Sequence, residues 1–321
     1  MTTRQDQIEP AIPDVSPELP SGRWRTTLAL LGRLPQGAMS RAFGAVADVP
    51  LPRGVRRQVL GGFARAVGAD LSEAERPLED YPSLNAFFTR RLRPGVRSWP
   101  SDATVAACPV DGATGQVGRV RDGQVVQAKG RWYSAAELLQ DSEEARRFEG
   151  GVFLTLYLSP RDYHRIHVPT DGRIYTARHI PGALLPVNQA AVAHIPDLFA
   201  RNERLLCYLD GPLGRVAVVA VGAYNVGRIS AAFDPLWNAL PGRSTWVTNR
   251  RGLSAATRSY NPPVRVRQGD ELMTFHLGST VVLLFEPDRL ILRESVRAGE
   301  PVRLGEPIGV ADARYSAPSS S

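Results

Sequence analysis

From about residue 100 onward the chain is built of short apolar runs separated by Gly, Pro and Asp, clearest at 151–158, 215–221 and 280–285. Runs this short, bounded by turn-forming residues, suit buried strands better than helices, which need a longer stretch of three- and four-residue periodicity. The whole sequence holds 29 Gly and 26 Pro, enough to close many turns. The pattern predicts an α+β protein whose main domain, residues 96–315, is a β-rich barrel or sandwich. Residues 266–272 and 302–310 resemble each other and read as strand-turn-strand pieces, while helices around 134–148 and 188–193 interrupt the strands.

The first hundred residues have a different texture. Residues 1–22 are polar, with Pro10, Pro13, Pro17 and Pro20, and read as a disordered arm. Residues 23–95 read as a helical region and a candidate for membrane association. Trp24, Leu28, Leu31 and Leu34 recur at helical steps, and Pro50 and Pro52 break the pattern. A second segment sets Val55, Val59, Leu60, Phe63 and Val67 on one face, with Arg53, Arg56, Arg57 and Arg65 among its polar positions. Such a basic amphipathic helix either lies on an anionic membrane or packs against its own domain. A short helix is expected around Leu84, Phe87 and Phe88.

With 321 residues, 43% of them hydrophobic, the chain can bury a sizeable core. A formal charge of +7 favours an acidic partner, a phosphate or an anionic membrane surface. The charge is almost all arginine, Lys129 being the single lysine, and genomic base composition accounts for that bias. Cys108 and Cys207 make neither a disulfide framework nor a metal site. No secretory signal pattern opens the chain, and no apolar run approaches the ~20 residues that span a bilayer. An intracellular chain that does not cross a membrane is expected.

Four segments can carry chemistry. In Leu277-Gly278-Ser279-Thr280 a Gly-Ser bond stands at the mouth of an apolar strand. Strain at Gly278 would push its carbonyl towards the Ser279 hydroxyl, although Gly-Ser-Thr is usually a turn or bulge. Pro109-Val110-Asp111-Gly112 holds an Asp-Gly pair, an ordinary turn signal. His164 and His167 lie three residues apart after a strand, either as a fragment of a metal site that nothing else completes or as surface residues. The run from Phe199 to Arg204 is either a phosphate contact or a solvated turn. Asp111, one of the two histidines and Ser279 make the parts of a Ser-His-Asp relay. Its ordinary use would be a serine hydrolase, but no Gly-x-Ser-x-Gly elbow is present.

Taken in order, Phe87-Phe88-Thr89-Arg90-Arg91-Leu92-Arg93, Pro109-Val110-Asp111-Gly112, Gln127-Ala128-Lys129-Gly130, Leu158-Ser159-Pro160-Arg161-Asp162-Tyr163-His164-Arg165-Ile166-His167, the 199–204 run and Leu277-Gly278-Ser279-Thr280 resemble the phosphatidylserine decarboxylase proenzymes of the pyruvoyl-dependent, prokaryotic type. The resemblance covers roughly residues 70–313. It implies autocatalytic serinolysis of Gly278-Ser279, giving a β chain 1–278 and an α chain 279–321. His167, supported by Asp111, would take the Ser279 proton, and Ser279 would become a covalent pyruvoyl cofactor. That ketone would form a Schiff base with phosphatidylserine and accept the electrons released with CO₂, giving phosphatidylethanolamine. His164 is the candidate proton donor, and the two histidines fit either task.

The resemblance further implies a peripheral enzyme on the cytoplasmic side of the cell membrane, working on phosphatidylserine in an anionic bilayer. Its α and β chains come from one precursor, with no nucleic acid and no metal. A homo-oligomer is compatible with it. The rivals are a serine hydrolase using Ser279, His167 and Asp111, or a non-catalytic lipoyl-like barrel module. The latter needs a lysine in a hairpin, and Lys129 lies far from those turns. Neither Lys129 nor His276 has an assigned role.

Overall fold

The computed structural model describes residues 36–128, 130–224, 228–235, 237, 248, 254–276 and 279–315. The arm, Trp24 to Leu34, Lys129, Leu277 and Gly278 lie outside the described residues.

An eight-stranded sheet organises the molecule. Its order is β11 (Ala256–Val266), β7 (Gly172–Ile180), β8 (Arg204–Gly211), β9 (Gly214–Val221), β13 (Ser279–Phe285), β5 (Val152–Leu158), β2 (Gly112–Arg119) and β15 (Pro301–Val302). Neighbouring strands are antiparallel throughout. The three apolar runs of the sequence are β5, β9 and β13, which lie side by side. Alternate residues of β13 serve two cores, because side chains of a strand alternate between faces. Val281, Leu283 and Phe285 join one cluster, Val282 and Leu284 the other.

Two small sheets pack on the first face: β1 (Val105–Ala107), β16 (Pro307–Ala311) and β14 (Leu290–Leu292), and β10 (Ile229–Ala231), β12 (Glu271–Phe275) and β6 (Arg165–His167). The second face is covered by the hairpin β3 (Gln124–Ala128) and β4 (Arg131–Ser134) and by short helices. These are α4 (Ala135–Leu139), α5 (Ser142–Arg147), α6 (Gln189–His194) and α7 (Leu198–Arg201). The fold is thus α+β with open sheets layered as a sandwich, preceded by α1 (Gln36–Asp48), α2 (Arg53–Val67) and α3 (Leu84–Phe88).

Several local expectations are corrected. The helix expected over 134–148 is two, because Gln140 adopts a left-handed φ of 50° and Asp141 caps a second start by accepting from the Glu143 and Glu144 amides. The two strand-turn-strand pieces are present as expected, and each joins strands of different sheets. β11 pairs with β7 while β12 pairs with β10 and β6, and β15 and β16 likewise join different sheets. The 199–204 run is not a solvated turn, since Phe199, Asn202, Glu203 and Arg204 are all buried. Arg204 is buried, and its guanidinium donates to the carbonyls of Glu137, Leu138 and Asn202. Those first two carbonyls end α4, so the arginine caps a helix from a neighbouring strand. Pro52 precedes α2 as the sequence suggests and Gly68 closes it at φ 77°, but its apolar face is divided: Leu60 and Ala64 are buried, while Val55 and Val59 remain exposed.

Candidate active site

Register places the key segments. The backbone of Ser279 opens β13 opposite Leu158, the last residue of β5. The chain leaves β5 through residues 159–164, so that His164 stands just before β6 and His167 ends it, paired with Glu271 of β12. Asp162 holds the intervening loop by accepting from the Ser159 amide at 2.7 Å and its hydroxyl at 2.8 Å.

His164 is fully buried. Its Nε2 lies 3.0 Å from the Ser159 carbonyl, which can only accept, so Nε2 carries the proton. Nδ1 is then a lone-pair acceptor, and it has no partner. The ring stacks on Phe88 at 3.9 Å. Burial, reinforced by Arg90, pulls its pKa down to about 3.

His167 has both nitrogens engaged. Nδ1 donates to the Gly269 carbonyl at 2.7 Å, leaving Nε2 as the acceptor of the Tyr163 hydroxyl at 3.0 Å. The Trp99 and Tyr163 rings flank it, each centred 5.6 Å away. Gly269 adopts φ 90°, and a Cβ there would meet the Trp99 ring at 2.9 Å, so the position demands glycine twice over. Burial holds the His167 pKa below the ordinary imidazole value.

Asp111 precedes Gly112, whose strand approaches β5 so closely that a Cβ would stand 2.2 Å from the Tyr157 carbonyl oxygen. The Asp-Gly pair therefore marks a tight strand approach rather than a turn between strands. The Asp111 carboxylate is gripped by Arg97 at 3.2 and 2.5 Å and by the Leu304 amide at 2.8 Å. Arg97 also pairs with Glu73 at 3.0 and 2.7 Å, which lowers the Glu73 pKa. Asp111 and His167 share no hydrogen bond. A cavity of about 280 Å³ is lined by Asp111, Glu73, Arg90, Asp162 and Tyr163, and of these Tyr163 is bonded to His167, which does not itself line it.

The 87–93 motif is an armature for this segment. Phe88 stacks on His164, the Thr89 carbonyl accepts from Arg165 Nε and Nη2 at 3.0 and 2.8 Å, and Arg90 donates to the Arg161 carbonyl at 3.2 Å. Arg91 and Arg165 both pair with Glu271, at 2.9 and 2.7 Å. Sequence reading assigned no role to Tyr163, Arg97, Trp99 or Gly269. Tyr163 and Phe88 at least lie inside motifs, whereas Gly269 stands 102 residues from His167 and nothing local joins them. Among the described residues no group of His, Cys, Asp and Glu is arranged to hold a metal ion.

A sequence model of the family described as "Phosphatidylserine decarboxylase" matches residues 84–310. A protein of Anaeromyxobacter sp. (strain K), named phosphatidylserine decarboxylase proenzyme, is 46% identical over 287 residues, covering 89% of this chain and 99% of the relative. Proteins of the same name from Myxococcus xanthus (strain DK1622) and Azotobacter vinelandii (strain DJ / ATCC BAA-1303) are 43% and 42% identical. They cover 89% and 88% of this chain, and 98% of each relative. Similarity of this extent runs through every segment that builds the site, and the chain belongs to the phosphatidylserine decarboxylase family.

Proposed function

We propose that this protein is a self-processing proenzyme that decarboxylates phosphatidylserine to phosphatidylethanolamine. The observation that carries the reading is the register that sets Ser279, at the mouth of the central strand, beside the strand leading into the His164–His167 segment.

In the first stage the Tyr163 hydroxyl gives up His167 Nε2, which then accepts the Ser279 hydroxyl proton, its other nitrogen being fixed by Gly269. The Ser279 oxygen attacks the Gly278 carbonyl, and the peptide bond becomes an ester. Loss of the Ser279 Cα proton expels the Gly278 carboxylate and leaves a dehydroalanine. Tautomerisation and addition of one water release one ammonia and leave a ketone at the new N-terminus. Asp111 supports the imidazolium through its field, its oxygens being held by Arg97 and the Leu304 amide.

The residues present fit a pyruvoyl group derived from Ser279: next to that strand mouth stands a buried imidazole with an unpartnered nitrogen. When formed, the group supplies an electron sink for decarboxylation. His164 Nδ1 is the atom suited to hold and deliver the proton that replaces CO₂. Its depressed pKa keeps it neutral until an anionic substrate arrives.

The acyl chains of the substrate stay in a bilayer, so the site must work at its surface. No helix among the described residues is long and apolar enough to cross a membrane. Phe43 and Val46 on α1, Val49 just after it, and Val55 and Val59 on α2 are exposed, Val46 at 69%. Arg53 and Arg57 stand beside them. This surface suits peripheral docking on the anionic, cytoplasmic leaflet, at about 1 kcal/mol per arginine near the headgroups.

Intact mass tests the reading. Purified protein should appear as two chains, 1–278 and 279–321. Borohydride with phosphatidylserine present should add the lipid amine to the shorter chain alone. A single uncut chain labelled at Ser279 by a fluorophosphonate would instead mean a hydrolase.

A further inference from the structure

His276 lies two residues before Gly278 and outside the relay. Its Nδ1 is 3.3 Å from Asn85 Nδ2 and its Nε2 is 3.1 Å from Ser230 Oγ. Asn85 Nδ2 also lies 2.8 Å from the Asp48 carboxylate. A carboxylate takes only donors, so the amide must turn its NH₂ group to Asp48, and the second hydrogen of that group is the one offered to His276. Nδ1 is therefore the acceptor, and Nε2–H donates to Ser230. Enclosure of the ring, with Arg228 adding to it, disfavours a second proton and lowers the pKa.

The backbone is held as well. The His276 amide donates to the Arg228 carbonyl at 2.9 Å. The Arg228 guanidinium pairs with Asp48 and donates to the Gly44 carbonyl at 3.3 Å. A Cβ on Gly44 would lie in ordinary contact, 3.4 Å from two guanidinium nitrogens, so α1 packs directly against Arg228. One carboxylate at the end of α1 thus reaches His276 by two routes, through Asn85 of α3 and through Arg228.

β12 ends at Phe275 in one sheet and β13 begins at Ser279 in another. The connection is short, and whatever fixes its first residue limits where the Gly278 carbonyl can stand. A displacement of about 1 Å at a reacting centre costs on the order of 100-fold in rate.

We propose that Asp48, Asn85 and His276 form a positioning chain by which helix α1 holds the segment entering the scissile bond in its reactive placement. The role rests on cleavage at Gly278-Ser279. The same helix carries exposed Phe43 and Val46 on its outer surface.

The test follows cleavage of freshly translated precursor by gel, alongside thermal melting. His276→Leu removes donor and acceptor together, and Asn85→Asp sets a carboxylate against Asp48. Both should slow cleavage by roughly ten- to a hundredfold. His276→Gln, which keeps one acceptor and one donor, should recover most of the rate at a melting temperature matching His276→Leu. Asp48→Ala, at the exposed end of α1, should keep a melting temperature close to the wild type and slow cleavage about tenfold. Wild-type cleavage rates in His276→Leu and Asp48→Ala, or equal slowing by Gln and Leu, would overturn the positioning role. A wild-type precursor that never cleaves would remove the underlying reading itself, and with it this role.

Discussion

The Gly269 carbonyl oxygen lies 2.7 Å from His167 Nδ1 and fixes which nitrogen of that ring is basic. Glycine is required there by a φ of 90° and by the Trp99 ring. Gly269→Ala must therefore move either the carbonyl or the indole. Precursor cleavage should slow at least roughly tenfold while the fold survives, since about one strained residue costs 1–3 kcal/mol. Gel-based cleavage kinetics and circular dichroism measure the two effects separately.

Ser279→Ala should leave an uncut precursor that makes no phosphatidylethanolamine, and His167→Ala should also fail to cut. His164→Ala should cut yet decarboxylate at least about a hundredfold more slowly, within the range removal of one acid–base residue commonly costs. Should the His164 variant remain whole, the two histidine roles are exchanged.

Burial lowers the His167 pKa below the ordinary 6.5. The neutral imidazole is the active base, so cleavage should be flat through neutral pH and fall only in acid, with a midpoint below 6.5. A midpoint at or above that value contradicts the assignment. His164 adds a stability effect. Its pKa is about 3 when folded and near 6.5 unfolded, so the unfolded chain binds the extra proton between those values. This contribution is complete above pH 6.5 and drains away as pH falls towards 3, by up to about 1.4 kcal/mol per pH unit. Melting temperature against pH should be shallower in His164→Phe.

Asp111→Asn removes a charge that holds Arg97 and leaves it Glu73 as carboxylate partner among the described residues. A charge-assisted hydrogen bond contributes about 1.5–3 kcal/mol, and urea denaturation should register a loss of that size. Cleavage should slow as well, because the field at His167 weakens.

Val46 is 69% exposed on α1. Inserting such a side chain into a membrane contributes about 1.5 kcal/mol or more, roughly tenfold in affinity. Val46→Asp should reduce flotation with phosphatidylserine vesicles by at least that factor, with raised salt weakening the wild type further. Equal flotation of the two proteins would exclude this surface.

The strands were legible because burial on both faces writes itself as an unbroken apolar run: 151–158, 215–221 and 280–285 became β5, β9 and β13. The residue types of a relay and the order of the motifs were equally plain in the chain. What could not be read was company. Arg97 rather than His167 holds Asp111, Gly269 orients His167 from 102 residues away, and Arg204 caps a helix 66 residues upstream. His276, silent in the sequence, joins Asn85 across 191 residues. Period and composition encode which face of a strand is buried, since that depends on each residue's own affinity for water. Hydrogen-bond partnership depends on which strands become neighbours and in what register, and only the packed sheets decide that.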